Sequence, residues 1–420
     1  MYRLPSQAQK VMDLYNSFNW QQLIQMPLEN VDIYSNKVSI YGKTAVSFGN
    51  ASYLSFHNDE RVINGGIEAL KKYGTIYCCS RAYTYMNLHD EFENLLENIF
   101  GLPTVSMVQT VNASLSAMQL LMLPTDVALV DMQSHSTLHS MLLLPKAMGM
   151  KVEPIMHNDM EHLERKIQQY QKEGKEKIWY VADGVYSMYG DVTPVEDLIY
   201  LLDKYDNFYL YLDDAHGMSW TGPNGAGYVW KHLPIGHQKL VMVTGFSKGF
   251  GVGGGAVICP NKEVKGWMRR AGMSNIFTTQ LPNAMLGAGI EVAKIHLTDE
   301  IYLRQDQLME NIKHFNKVAS KYDFKFHNNE NTPIFYLIIG DPLVATELNI
   351  KLREIGFYTN IASYPAVPLK NTGIRISITN QHTFEEIEHL LANIYTLKES
   401  LSNNQLQRKT FNNDLTLNSL

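Results

Sequence analysis

The chain has 420 residues, of which 45% are hydrophobic and 19% charged, as expected of a globular protein with a large core. Its net charge of −6 and the lack of long basic runs argue against a nucleic-acid partner. No apolar segment is long enough for a membrane span, and the N-terminus has no signal-peptide pattern. Three cysteines do not make a disulfide framework, and neither HExxH nor CxxC occurs. We therefore expect a cytoplasmic protein with reduced thiols and no metal site.

The first part of the chain is predicted to be helical in places. Residues 1–45 are predicted to form an N-terminal arm with a short helix at 7–23. Further helices are predicted at about 60–73 and 87–100, and each of them stops at a glycine that suits a C-cap.

The middle of the chain alternates between short apolar strands and helical patterns. The strands are predicted at 104–108, 127–131, 151–155, 177–183, 208–214, 239–245 and 255–260. Continuous apolar strands separated by helices indicate an α/β fold with a mainly parallel central sheet covered by helices on both faces. Residues 46–290 are therefore predicted to form one large domain.

The pattern changes in the last third of the chain. A long helix, broken or kinked, is predicted at 283–321, and after Pro333 short strands and helices follow. Residues 291–400 are therefore predicted to form a smaller α+β domain, with the linking helix included. The polar, Asn-rich residues 401–420 are expected to be a loose tail.

Polar side chains collect where the predicted strands end. Ligands of open α/β sheets bind outside the carboxyl ends of the strands, so these side chains predict a site. The residues are His135, Asp183, Ser187, Asp213, Asp214, His216, Ser247 and Lys248.

The stretch VTGFSKGFGVGGG (243–255) fits several motifs. A nucleophile elbow on Ser247 and a dinucleotide fingerprint both require a helix after the glycines, whereas the strand AVICP follows here. A Schiff-base lysine instead needs small neighbours, so that a flat ring can approach, and an acidic residue on an adjacent strand. Lys248 and Asp213 meet these requirements.

A phosphate-binding segment is predicted after the first strand of the large domain. The sequence QTVNASLSAMQLL begins a helix with Gln109, Thr110 and Asn112 in or next to its first turn. Such a helix N-terminus binds phosphate well, although the same pattern also suits an ordinary N-cap.

Ordered blocks over residues 45–395 resemble the α-oxoamine synthase group of fold-type I pyridoxal-phosphate enzymes. DDAHGMSWTGPNGAG (213–227), DGVYSMYGDVTPV (183–195) and FSKGFGVGGGAV (246–257) are similar to three of its blocks. DMQSHST, CCSR, LHDEFE, IFTTQLP and PAVPLKNTGIRISITNQHT follow the same order as further blocks. The resemblance implies the fold-type I transferase fold and pyridoxal 5'-phosphate as cofactor.

The resemblance also implies residue roles. Lys248 would carry the cofactor and act as catalytic base, and Asp213 would pair with the ring nitrogen. His216 and Ser187 would contact the phenolic oxygen, and His135 would stack on the ring. Further cofactor contacts are implied for Thr110, Val111, Asn112, Thr244 and Ser247, and Thr278 or Thr279 would reach the phosphate of a partner subunit. Arg375 and Arg81 would bind substrate, Arg375 through its carboxylate.

The sequence departs from these blocks near the cofactor. Gly245 stands where the group usually has a threonine, and Asp183 stands where it has a glutamate. QTVNAS replaces the usual S-G-F/Y-x-A-N, so the predicted phosphate-binding segment is altered.

The implied reaction is condensation of an amino acid with an acyl thioester, carried by CoA or by an acyl carrier protein, with loss of CO2. The implied assembly is a homodimer with shared active sites. Transamination, racemisation or aldol cleavage on the same cofactor, and a non-catalytic binding protein, are the alternatives.

Overall fold

A computed structural model of the protein describes residues 3–233, 236–327 and 330–417. The strands are β1 (Leu28–Val31), β2 (Lys37–Ile40), β3 (Lys43–Ser47), β4 (Thr104–Met107), β5 (Val127–Asp131), β6 (Lys151–Ile155), β7 (Ile178–Asp183), β8 (Phe208–Asp213), β9 (Leu240–Gly245), β10 (Gly255–Ile258), β11 (Ile334–Gly340), β12 (Phe357–Tyr358), β13 (Asn360–Ala362) and β14 (Thr372–Ser377). The helices are α1 (Ser6–Ser17), α2 (Glu60–Tyr73), α3 (Leu88–Phe100), α4 (Thr110–Leu121), α5 (Ser136–Met141), α6 (Leu143–Ala147), α7 (Met160–Lys172), α8 (Val195–Lys204), α9 (Tyr228–His232), α10 (Lys262–Ala271), α11 (Met273–Ile276), α12 (Asn283–His296), α13 (Glu300–Ala319), α14 (Pro342–Glu354) and α15 (Phe384–Leu417).

A seven-stranded sheet forms the centre of the larger of two compact units, which comprises Ser52–Ser187 and Asp191–Gln307. Its strand order is β4-β10-β9-β8-β7-β5-β6. The strands from β9 to β6 run parallel, whereas β10 is antiparallel to both of its neighbours. The predicted α/β fold with a mainly parallel sheet is therefore confirmed.

The parallel strands are buried because helices cover them, as their continuous apolar sequences predicted. Every residue of β5, β7 and β9 is buried. On one face, α4 packs against the sheet with Ala113, Ala117 and Met118 in the core. The polar residues that end these strands are thus carried by a rigid support.

Two helices of this unit approach each other closely at glycines. A Cβ atom on Gly287 of α12 would clash with the backbone of Gly65 in α2 and would lie 2.5 Å from Cβ of Ala69. The backbones of α2 and α12 can come this near only because these positions carry no side chain.

The smaller unit contains the chain up to Ala51, Met188–Gly190 and the chain from Leu308 on. It has a three-stranded sheet, β11-β14-β13, and a four-stranded sheet, β1-β2-β3-β12. The prediction of a separate N-terminal arm differs from this arrangement, because β3 pairs in parallel with the distant β12. A pairing between residues about 310 positions apart leaves no local pattern in the sequence.

The long helix predicted at 283–321, broken or kinked, is two helices, α12 and α13. Helix boundaries differ from the predictions at two other places. The predicted helix at 7–23 ends at Ser17. The backbone of α15 stays helical through Leu417, where a loose tail was expected, and residues 418–420 lie outside the described residues.

Candidate active site

Two carboxylates meet at the carboxyl end of the parallel sheet. β7 and β8 pair in a register that sets Asp183 opposite Asp213. Both side chains are buried, and burial raises the pKa of each carboxyl. Asp213 raises the pKa of Asp183 further, whereas the charge of Lys248 lowers the pKa of Asp213. A cation in this place therefore stabilises the pair in its ionised form.

A cavity of about 380 Å³ opens beside these carboxylates. It lies entirely within the larger unit, and it brings together most of the residues predicted from the strand ends. Its lining residues are Val108, Gln109, Thr110, Val111, His135, Thr137, Asp183, Val185, Asp213, Ala215, His216, Ser247, Lys248, Gly253 and Gly254.

Asp183 fixes the position of His135 through the backbone. The N–H group of His135 donates to both carboxylate oxygens of Asp183, at 3.1 and 3.2 Å. Nδ1 of His135 lies 2.6 Å from Oγ1 of Thr137. Burial lowers the pKa of His135, so the imidazole at this side of the cavity is neutral near pH 7.

His216 is hydrogen-bonded to Tyr53, a residue that the sequence did not predict. The hydroxyl of Tyr53 lies 2.7 Å from Nδ1 of His216, and the tyrosine is completely buried. Nε1 of Trp220 donates to the carbonyl of His216 at 2.6 Å. Tyr53 lies far from any strand that the sequence predicted, so nothing in the predicted pattern pointed to it.

Asp214, next to Asp213, is a second buried acid. One of its oxygens accepts from the N–H of Val229 at 2.9 Å, and the other has no hydrogen-bond partner among the described residues. Gly184 and Gly217 pack directly on the carboxylate. Burial raises the pKa of Asp214 to about 8, and the neighbouring Asp213 adds to this rise.

A buried cluster lies next to the end of β5. His157 bridges two carboxylates, with Nδ1 at 2.9 Å from Asp131 and Nε2 at 2.5 Å from Asp191. Burial lowers the pKa of His157, but the hydrogen bonds to Asp131 and Asp191 outweigh this effect and raise the pKa to about 9. Asp131 also accepts a hydrogen bond from the hydroxyl of Tyr180 in β7 at 3.0 Å. The cluster therefore has a structural role, because its hydrogen bonds join β5 and β7 to the loops that carry His157 and Asp191.

Some predicted cofactor residues do not line the cavity. The hydroxyl of Thr244 faces the carbonyl of Asp214 at 3.5 Å, and the carbonyl of Asn112 accepts from Ser274 at 2.5 Å. Ser187 lies after β7, at the start of a turn, and is not among the lining residues. Thr278 and Thr279 border a separate crevice.

Arg81 was predicted to bind substrate, and its guanidinium has several partners inside the protein. It donates to Glu93 at 3.1 Å, to the carbonyl of Ser106 at 2.7 Å and to Asn275 at 3.1 Å. The side chain is buried, and its partner Glu93 is buried as well. Removing one side of such a pair is strongly destabilising, so Arg81 also stabilises the fold. Its role as a substrate ligand stays a prediction.

Arg375 lies in the smaller unit on β14, the central strand of its three-stranded sheet. It is buried, and it donates to the hydroxyl of Ser377 at 2.9 Å. Its role as a substrate ligand stays a prediction.

The structure also bears on metal binding and on membrane spans. Among the described residues, no cluster of His, Cys, Asp and Glu side chains is arranged to hold a metal ion. In the same part of the chain, no helix combines the length and the apolar composition needed to cross a membrane.

The sheet topology, the lysine after β9 and the acid that ends β8 define a transferase of fold type I. The chain belongs to the aminotransferase class I and II family, whose model matches residues 60–394. This confirms the family that the sequence blocks predicted.

Similar proteins narrow the group further. The chain is 32% identical to 8-amino-7-oxononanoate synthase of Treponema denticola, over 83% of this chain and 86% of that protein. It is 29% identical to serine palmitoyltransferase of Bacteriovorax stolpii, over 85% and 83% of the two chains. A solved structure of serine palmitoyltransferase with its pyridoxal-phosphate internal aldimine has a TM-score of 0.87 at 24% identity, covering 96% of this chain and 100% of that one, and shows the same fold. The relatives are those of the α-oxoamine synthase group.

Proposed function

We propose that the protein is a pyridoxal-phosphate-dependent acyltransferase. It condenses an amino acid with an acyl thioester and releases CO2 and the free thiol, so that an α-amino ketone remains. The observation that carries the proposal is the lining of one cavity by both Lys248 and Asp213. The relatives named 8-amino-7-oxononanoate synthase and serine palmitoyltransferase support this choice among the reactions of the family.

The residues of the cavity fit this cofactor. The volume of about 380 Å³ accommodates a single pyridine ring with its phosphate. Asp213 is only 7% exposed and receives a hydrogen bond from the N–H of Ala215, which leaves acceptor capacity for a protonated ring nitrogen. Thr110 and Val111 begin α4 at the other end of the cavity, where the helix N-terminus suits a phosphate.

When bound, the cofactor supplies a conjugated ring that takes up the electron pair left at Cα of the amino acid. Lys248 removes the Cα proton as a general base and later returns a proton to the same carbon. Asp213 holds the proton on the ring nitrogen, because a carboxylate beside that nitrogen stabilises its charged form. His135 would lie against one face of the ring, and His216 would donate a hydrogen bond towards the phenolic oxygen.

Arg375 is proposed to bind the carboxylate of the amino acid, since a guanidinium fork suits a planar anion. The thioester is carried by CoA or by an acyl carrier protein.

A homodimer with shared sites is part of the proposal. Tyr83 is 87% exposed and Phe277 75% exposed, and their segments are joined by a hydrogen bond from Ser80 to the carbonyl of Ile276. Large aromatic side chains exposed together are typical of a protein interface. Thr278 and Thr279 follow Phe277 directly, so they would lie next to a two-fold related copy that covers this patch and would reach the phosphate in the site of that copy.

The cysteines are consistent with a cytoplasmic protein, as proposed. Cys78, Cys79 and Cys259 are free thiols.

The test is an assay with the cofactor-loaded protein, a panel of amino acids labelled at the carboxyl carbon, and acyl-CoA or acyl carrier protein thioesters. We expect thioester-dependent release of labelled CO2 and an α-amino ketone by mass spectrometry. Formation of a keto acid without thioester would identify a transaminase instead. A loaded protein whose yellow colour is not bleached by borohydride would exclude the Schiff-base lysine altogether.

Matched variants sharpen this assay. Lys248→Ala should abolish turnover, and Asp213→Asn should lower kcat about a hundredfold or more, because the ring nitrogen loses its ionic partner. Asp206→Asn is the control, since Asp206 is an exposed acid just before β8. Substantial turnover in Asp213→Asn would contradict the assignment.

A further inference from the structure

Two glycines face each other on neighbouring strands beneath the cavity. Gly245 ends β9 and Gly255 begins β10, and the antiparallel register makes them direct partners. Neither residue has a positive φ, so the backbone conformation does not require glycine at these positions. The reason for glycine must be space.

Thr110 occupies the space of both missing side chains. A Cβ atom on Gly245 would lie 2.6 Å from Oγ1 of Thr110, and one on Gly255 would lie 2.7 Å from its backbone nitrogen. The paired glycines therefore form a seat that lets the start of α4 rest directly on the sheet. A side chain on residue 245 and the threonine at position 110 exclude each other.

The side-chain hydroxyl of Thr110 is available to bind a ligand in the cavity. Thr110 is the first residue of α4 and lines the cavity together with Ser247 and Lys248. Among the residues that the structure describes, none is hydrogen-bonded to the Thr110 hydroxyl, and Gln109 does not cap the helix with its side chain. The first turn of a helix also presents N–H groups without intrahelical partners. A hydroxyl and several N–H groups converge here at the positive end of the helix dipole.

We infer that the side-chain hydroxyl of Thr110 is a ligand of the cofactor phosphate, and that Gly245 and Gly255 are needed to seat it. The hydroxyl adds a side-chain contact to the backbone contacts already proposed. Both Thr110 and Gly245 are positions at which the sequence departs from the blocks it resembles. The two departures are coupled, because the Thr110 side chain occupies the space that a side chain at position 245 would need. The inference rests on the proposed cofactor.

The first experiment titrates the apoprotein with pyridoxal phosphate and, separately, with pyridoxal, which lacks the phosphate. Thr110→Val keeps the branched shape but removes the hydroxyl. Its Kd for pyridoxal phosphate should rise about tenfold to a hundredfold, as for a hydrogen bond to a charged group, with the Kd for pyridoxal unchanged. Thr110→Ser should bind both ligands within about threefold of the wild type, because it keeps the hydroxyl.

The outcomes separate the inference from the proposed function. If Thr110→Val binds pyridoxal phosphate like the wild type, or weakens both ligands equally, the hydroxyl is not a phosphate ligand. If the wild type takes up neither ligand, the proposed cofactor itself is wrong and the inference falls with it.

The second experiment tests the seat. Gly245→Thr should weaken binding of pyridoxal phosphate, because the new side chain collides with Thr110, and Thr110→Gly should weaken it by losing the hydroxyl. The double variant Thr110→Gly/Gly245→Thr should bind more tightly than either single variant, since it restores one hydroxyl in the same space. Losses that simply add in the double variant would overturn the pairing.

Discussion

The contact between Tyr53 and His216 shows how a buried residue outside the cavity can act on the chemistry inside it. A phenol that donates to Nδ1 leaves the imidazole hydrogen on Nε2, the nitrogen that can then donate towards the cofactor. Tyr53 is therefore expected to be a positioning residue, acting through His216 on the phenolic oxygen of the ring.

Tyr53→Phe tests this role. It should lower kcat about twofold to tenfold, the effect of one ordinary hydrogen bond, and should leave KM for both substrates and the Kd for pyridoxal phosphate nearly unchanged. Steady-state kinetics and cofactor titration measure the two effects separately. Tyr209→Phe, on the partly exposed side of β8, is the control and should change neither. A parallel loss of stability and cofactor affinity would show that Tyr53 is merely structural.

Asp214 makes the stability of the protein depend on pH. Its pKa rises from an ordinary value in the unfolded chain to about 8 in the folded protein. The folded state therefore binds the proton more tightly, and the stabilisation that results is complete at acidic pH and is lost as the pH rises to about 8.

Asp214→Asn should remove this dependence. Urea unfolding at pH 6, 7 and 8 should show that the wild type loses stability more steeply than the variant, by up to about 1.4 kcal/mol per pH unit. Asp206→Asn should follow the wild type, because Asp206 is exposed. Identical slopes in wild type and Asp214→Asn would mean that Asp214 is ionised throughout.

The residues of the cavity could be predicted to different extents. Lys248, Asp213, His135 and His216 follow strands whose apolar runs are plain in the sequence, and parallel strands bring their carboxyl ends to one edge. Tyr53 could not be found in this way, because its contact with His216 joins residues 163 positions apart. Block similarity suggested Arg81 as a ligand but could not show that Glu93 already occupies its guanidinium.

At the scale of elements, the close packing of α2 and α12 depends on glycine. Gly287→Ala places a methyl group against the rigid backbone of α2, so we expect a loss of about 1–3 kcal/mol in the free energy of unfolding. The same substitution at Gly266 in α10 meets only the flexible end of Arg270, 2.8 Å away, and should stabilise the protein by about 0.5–1 kcal/mol. Thermal and urea unfolding of both variants measure the difference, and effects of the same sign would contradict this account.

Elements were easier to predict inside the sheet than outside it. Strands β4 to β10 lie within a few residues of their predicted positions, since buried parallel strands are continuous apolar runs. Strand β1 escaped prediction because all four of its residues are exposed and show no alternation. The position of the break between α12 and α13 could not be predicted, because the sequence has no proline at that point.

At the scale of the whole molecule, the aromatic side chains of Tyr83 and Phe277 are proposed to lie in the dimer interface. Phe277→Glu should convert a dimer into a monomer in sedimentation experiments, because a charge would be buried at the interface. The monomer should also lose activity if Thr278 or Thr279 serves the partner's site. Tyr200→Glu, at an exposed aromatic residue on α8, should remain a dimer. A wild-type chain that sediments as a monomer and remains active would refute the shared site.

Strand β10 has a consequence for the order of events during synthesis. It lies between β9, which leads to Lys248, and β4, which leads to Thr110, so four residues join the lysine end of the cavity to the phosphate end. A growing chain that has not yet released residues 255–258 from the ribosome holds both ends but has nothing to fix their spacing. Such non-local closures come late because they require long loops to be ordered first. The two ends of the cavity therefore reach their final spacing only when β10 has paired with both of its neighbours.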